Sequence, residues 1–207
     1  MKKRGFFIVL DGIDGSGKST QIKLIAKYFR EGGKQVTVTH EPWKGKYGRL
    51  IDRLVNSEEG KKLTANDWLE LFTKDRLEHV EKEIIPSLNR GKVILSDRYY
   101  YSTLGYQLKK EEWNAYTISI NMRPDLAIII DVPVSVGMKR IEQDISKKIR
   151  VGSKTVFEKK KILEKVSKKF RLIPKYIRDN VKVVDGEGTP AEVFARIEKE
   201  LRRLTDK

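Results

Sequence analysis

The chain contains no cysteine. That excludes disulfides, thiolate nucleophiles, Cys-based zinc sites and iron–sulfur clusters. It has two histidines, His40 and His79, too few for a His-rich metal centre. No apolar run approaches the ~20 residues of a membrane-spanning helix. The stretch Gly5-Phe6-Phe7-Ile8-Val9-Leu10 ends at Asp11 and is too short for a signal peptide. The expectation is a cytoplasmic protein with no membrane partner. Internal repeats and low-complexity linkers are also missing. The 207 residues fit one domain, taken as 1–207.

Charge is abundant and mostly of one sign. Lys and Arg number 44 against 29 acids, giving +15. Such a balance suits nucleic acid, membrane surfaces or small anionic ligands. The charge is also uneven: residues 139–182 hold 16 Lys/Arg and 5 Asp/Glu, a surplus of 11. Most of these lysines read as solvated helix faces, with a subset left to meet phosphates.

Five short apolar runs read as strands: 5–10, 35–39, 92–96, 126–130 and 181–184. Helical patterns separate them. Ile22, Leu24, Ile25, Tyr28 and Phe29 make a stripe that Gly32-Gly33 stops. Further helices are expected at 47–56, 65–89, 134–147, 156–178 and 190–204. Thr64 is the expected N-cap of helix 65–89, and Pro86 is expected to bend or shorten its last turn. Phe157, Ile162, Val166, Phe170 and Ile173 are expected on one side of helix 156–178. Strands alternating with helices predict an α/β fold, a five-stranded parallel sheet with helices on both faces.

The strongest local signal is Gly12-Ile13-Asp14-Gly15-Ser16-Gly17-Lys18-Ser19. It matches G-x-x-x-x-G-K-S, follows an expected strand and opens an expected helix. Glycines let backbone N–H groups curl around a phosphate chain, and the helix N-terminus adds partial positive charge. Lys18 would reach the β- and γ-phosphates and Ser19 would ligate Mg²⁺. This predicts nucleoside triphosphate binding. It does not separate kinase, GTPase and ATPase, and a nucleic-acid-linked ATPase remains one alternative.

Asp97-Arg98 follows the third strand, at the ligand-facing carboxyl end of a parallel sheet. An arginine there can grip phosphate with two N–H groups, and Asp97 can orient it or hold hydrated Mg²⁺. Phe72 and Arg76 lie four apart on one helix and face the same way.

Beyond the phosphate loop, four blocks carry a family resemblance. They are His40-Glu41-Pro42, Leu71-Phe72-Thr73-Lys74-Asp75-Arg76-Leu77-Glu78-His79, Asp97-Arg98-Tyr99 running to Tyr106-Gln107, and Arg123-Pro124-Asp125-Leu126 running to Asp131-Val132-Pro133. With the run from Phe7 to Gln21, their order and spacing resemble the thymidylate kinases, which are P-loop nucleoside monophosphate kinases. The resemblance implies phosphoryl transfer from ATP to dTMP with Mg²⁺, in a homodimer, with no nucleic acid partner. A kinase of different base preference is the nearest alternative.

What the resemblance implies can be placed residue by residue. ATP would meet residues 12–19, Thr20 and Arg140, the last stacked on adenine. Ser19 and Asp97 would serve the metal. Phe72 would stack on thymine and Arg76 would donate to its 4-oxo group. Thr103 would touch the pyrimidine edge, Tyr106 would pack beside the sugar, and Gln107 would support the base pocket. Asp14 would lie near the acceptor's 3′-hydroxyl, and Arg98 would hold phosphate. Arg49 or Arg53 would hold the acceptor phosphate. The family places a catalytic arginine either in the P-loop or in a lid. The P-loop position here is Gly15, so the lid, about 143–155, is expected to supply it: Arg150, with Lys147, Lys148 and Lys154 as alternatives.

Overall fold

The computed structural model describes residues 4–146, 157 and 159–205. Five parallel strands form one sheet: β1 (Phe7–Asp11), β2 (Val36–His40), β3 (Val93–Asp97), β4 (Leu126–Asp131) and β5 (Val181–Asp185), in the order β2-β3-β1-β4-β5. All five expected strands are present. The three central strands read as unbroken apolar runs because both of their faces are covered. Phe7, Val9, Ile94, Ala127 and Ile129 join one core, while Ile8, Leu10, Leu95, Ile128 and Ile130 join the other. The edge strands keep polar residues, as Thr37 and Lys182 show.

Helix α1 (Lys18–Glu31) buries Ile22, Ile25, Ala26 and Phe29 against the second core. The last helix closes that side with Val193, Ile197 and Leu201. Helices α2 (Lys46–Leu54) and α3 (Glu58–Lys62) lead to α4 (Ala65–His79), whose N-terminus carries a capping box between Thr64 and Asp67. A π turn at Val80–Ile84 then passes into α5 (Ile85–Asn89). Pro86 lacks an N–H and its ring crowds the carbonyl four residues back, so a wider turn lets the helical path continue.

Helix α6 (Tyr100–Tyr106), a 3₁₀ turn at Lys110–Glu112 and α7 (Trp113–Ile118) follow β3. Helix α8 (Val134–Ser146) follows β4, α9 (Lys160–Tyr176) precedes β5, and α10 (Pro190–Thr205) ends the described chain. The sequence placed the start of α9 at 156. In the structure Phe157 sits in a turn and the helix begins at Lys160. Because all five strands run the same way, their carboxyl ends bring Gly12, Glu41, Asp97-Arg98, Val132 and Gly186 to one edge of the sheet.

Candidate active site

The loop after β1 turns on three glycines with positive φ: Gly12 at 139°, Gly15 at 75° and Gly17 at 99°. Gly15 matters most. A Cβ there would lie 2.1 Å from the carbonyl oxygen of Gly137 on α8, so no side chain fits without moving backbone. The close approach of α8 thus explains why this loop carries no arginine at Gly15.

Lys18 is buried, and its Nζ donates to the carbonyls of Gly12 at 3.1 Å and Ile13 at 3.0 Å. Burial, and then the Arg98 charge, depress its ammonium below the ordinary value. Ser19 Oγ donates to Asp97 Oδ2 at 2.9 Å. Asp97 Oδ1 and Ser16 Oγ are buried without a hydrogen bond among the described residues. Arg140 donates to the carbonyls of Gly15 and Ser16 and to that of Gly186. Its N–H groups therefore tie the phosphate loop to the turn after β5.

These residues line a cavity of about 590 Å³ that runs from Asp14 and Lys18 past Arg140 to Pro190 and Val193. Thr20 is also on its wall.

A second cavity, about 210 Å³, opens beside it. Phe72, Arg76, Thr103, Tyr106 and Gln107 all line it, as the sequence led us to expect. Asp14, Glu41 and Arg98 lie on the walls of both cavities. Arg98 has φ 74°, a conformation a non-glycine residue adopts at a cost of ~1–3 kcal/mol. Its carbonyl accepts from Ser96 Oγ at 2.7 Å and its amide donates to Leu10 at 2.8 Å, which holds the turn. Its guanidinium donates to Asp14 Oδ1 at 2.6 Å and Ser102 Oγ at 2.8 Å.

Arg76 is almost fully buried. Nε and Nη2 donate to Glu41 Oε2 at 3.1 and 2.8 Å, Nη2 also to Thr103 Oγ1 at 3.1 Å, and Nη1 to Tyr116 Oη at 2.7 Å. Those four bonds use four of five N–H groups. One N–H on Nη1 remains for the cavity.

Several wall residues carried no expected role. Phe157 was expected in a helix core. Instead it lies across the second cavity, 6.3 Å from Phe72, 5.6 Å from Tyr106 and 5.1 Å from Trp68 between ring centroids. Glu41, which has no expected function beyond its place in the block after β2, lies on the walls of both cavities. Neither Arg49 nor Arg53 lines the second cavity. Asp52 does, and Arg49 Nη1 donates back to the carbonyl of Lys44 at 2.7 Å. Lys147, Lys148, Arg150 and Lys154 lie outside the described residues, as does most of the expected lid.

Asp75 holds the loop between β2 and α2. Both of its carboxylate oxygens accept from the Trp43 amide, at 3.0 and 2.8 Å, and it is fully buried. Burial pushes its carboxyl up from 3.8 to about 7. Between those values the native state binds a proton that the unfolded chain has released, so stability falls as pH rises through that window. Asp75→Asn removes this dependence. Its melting temperature relative to wild type is expected to climb from pH 5 to pH 7. A difference that stays flat would place the carboxyl at an ordinary value.

Comparison with known proteins gives concordant matches. A family model described as thymidylate kinase matches residues 10–197. A probable thymidylate kinase from Thermococcus kodakarensis is 39% identical over 202 residues, covering 93% of this chain and 97% of the relative. One from Pyrococcus horikoshii is 44% identical over 162 residues, covering 75% and 76%. A thymidylate kinase from Desulfotalea psychrophila is 42% identical over 179 residues, covering 84% and 85%.

Proposed function

We infer, for a chain that belongs to the thymidylate kinase family, that it transfers the γ-phosphoryl group of ATP to dTMP, giving ADP and dTDP. One observation supports this most directly: a long phosphate-loop cavity and a small aromatic cavity share Asp14, Glu41 and Arg98 as common walls. Two nucleotides held there meet phosphate to phosphate, and alignment removes much of the entropic barrier.

In the transfer, an oxygen of the dTMP phosphate bonds to the γ-phosphorus while the bond to the β–γ bridging oxygen breaks. Side chains do little covalent work; they position the reactants and neutralise charge. Lys18 and the loop amides hold the donor phosphates. Arg98, braced by Asp14 and Ser102, holds charge where the two phosphates meet. The guanidinium plane of Arg140, with N–H groups bonded to backbone carbonyls, offers a flat face to adenine. Phe72 and Phe157 enclose the thymine ring, Arg76 donates to its 4-oxo group, and Thr103, Tyr106 and Gln107 fill the remaining walls.

Mg²⁺ suits the pair Ser19 and Asp97, whose hydroxyl and carboxylate meet at 2.9 Å and whose second carboxylate oxygen has no protein partner among the described residues. There it would supply positive charge against the donor phosphates. Among the described residues no cluster of three or more His, Cys, Asp or Glu side chains that could hold a metal ion exists.

The remaining parts of this reading follow the family. The chain acts as one domain with a lid at about 143–155, and its site of action is the cytoplasm. No helix among the described residues is long and apolar enough to cross a membrane. A homodimer is supported by Leu77 and Ile85, large apolar residues exposed along the run from α4 to α5; sedimentation at micromolar concentration tests it. Arg150 supplies the lid's catalytic cation. Arg150→Ala is expected to lower kcat more than it raises the KM for ATP, because the contact forms mainly in the transition state. An unchanged kcat moves that role to a neighbouring lysine. The reading as a whole is tested by chromatographic detection of dTDP from ATP and dTMP.

A further inference from the structure

A buried chain of polar side chains lies behind the acceptor cavity, and the reaction as described leaves it without a role. Thr39 Oγ1, at the end of β2, donates to Glu83 Oε2 at 2.7 Å. Its single proton is thereby committed, so at its 2.8 Å contact with His79 Nε2 the hydroxyl oxygen is the acceptor and Nε2 carries the hydrogen. The other ring nitrogen, Nδ1, faces Glu41 Oε1 at 3.4 Å; with an acceptor opposite each nitrogen, the hydrogen bonds require the ring to carry a hydrogen on both. Trp43 stacks on the imidazole, with centroids 5.7 Å apart and planes at 19°, and its indole N–H donates to Glu83 at 2.6 Å. His79 is fully buried.

Glu41 is the link to the cavity. Its Oε2 takes two N–H groups from Arg76, and its Oε1 faces His79. The Arg76 guanidinium, which borders the cavity and keeps one N–H outside these bonds, is held in part through Glu41. Orienting partners of this kind govern the groups that touch a ligand.

We propose that His79 is a positioning residue for acceptor-base selection: locked by Thr39 and Trp43, it sets Glu41, and Glu41 sets the Arg76 donor that reads the base. This rests on the assignment of the second cavity to the acceptor. It gives the third residue of the Asp75-Arg76-x-x-His79 block, and the Glu41 of the block after β2, a function in specificity and not only in packing.

The test compares His79→Leu, which keeps apolar bulk but has no nitrogen, with His79→Asn, whose amide nitrogen takes the place of Nδ1. KM for dTMP, KM for ATP, kcat and the ratio of kcat/KM for dTMP over dCMP are measured for each. His79→Leu is expected to raise the dTMP KM by ~10-fold, the usual effect of losing a hydrogen bond to a charged group, and to shrink the dTMP/dCMP ratio by a similar factor. Its ATP KM should stay within about twofold, since no atom of His79 borders that cavity. His79→Asn should recover much of both losses. If dTMP and ATP KM rise together, or if the base ratio holds while only melting temperature falls, His79 is structural and the proposal fails. If His79→Leu does not fold, Thr39→Val, which removes the acceptor for Nε2, is read in the same way. Wild type is assayed first. If it prefers another monophosphate, the acceptor assignment falls on its own, and the His79 effect is then read on that preferred acceptor.

Discussion

Lys18→Ala is expected to leave a folded protein whose kcat is lower by ~10²-fold or more. The ammonium is the one side-chain cation inside the loop formed by residues 12–19, and it rests on the carbonyls of Gly12 and Ile13. Bound phosphate replaces those carbonyls as its partner. Losing one charge-assisted donor from a transferring phosphoryl group costs about 3 kcal/mol or more at the transition state. The fold should survive, because the substitution also removes a buried charge that desolvation disfavours. Lys18→Arg should not rescue, since a planar guanidinium does not fit the place of a compact ammonium. The check is kcat beside a thermal melt. Near-normal turnover from a well-folded Lys18→Ala would sink the kinase reading.

The second large effect concerns the base. Arg76 donates and cannot accept. Thymine and uracil carry an acceptor oxygen at C4, whereas cytosine carries an amino donor. With four of the five Arg76 N–H groups already bonded, the guanidinium cannot turn away to make room for a donor. Setting donor against donor beside a buried cation costs ~2–4 kcal/mol, or roughly 30- to 1,000-fold in kcat/KM. Purines should fail on size, since Phe72, Phe157 and Tyr106 bound a cavity of about 210 Å³. Arg76→Ala should weaken dTMP use and its advantage over dCMP together. That variant also strands the buried Glu41 carboxylate, a destabilising change of ~3–5 kcal/mol. The double substitution Arg76→Gln with Glu41→Gln keeps a neutral pair and gives the cleaner comparison. A double variant with undiminished preference for dTMP over dCMP would remove Arg76 from base selection.

Much of this is legible in the sequence. The central strands announce themselves as apolar runs because both faces are buried, and Gly12 to Ser19 states its chemistry in one segment. Phe72 and Arg76 could be read as a pair because helix geometry puts residues four apart on one face.

Where the sequence was silent, the reason is distance or irregularity. Glu41 and Arg76 are 35 residues apart, and no periodicity links a residue after a strand to one on a later helix. Helices α3, α6 and α7 are short. In α6, Tyr100, Tyr101, Thr103, Leu104 and Gly105 are all buried, so there is no polar face to mark its period. Trp113 is equally hidden and is fixed by a bond to the Leu104 carbonyl. Phe157 looked like part of the α9 stripe because it is apolar and near Ile162. Only the fold reveals that a turn carries it to Phe72. Asp52 has no role in the sequence reading, and its place on the wall of the second cavity appears only once α2 is laid against α4.

The two adjoining cavities should select ATP and a single thymine-like ring. The measurement that tests this most directly is ADP release from ATP across a panel of monophosphates: dTMP, dUMP, dCMP, AMP and GMP. dTMP should be used best, dUMP measurably because it lacks only a methyl worth ~1 kcal/mol, and the other three more poorly than dTMP by at least ~30-fold. Phosphorylation of dCMP or AMP as readily as dTMP would contradict that selection.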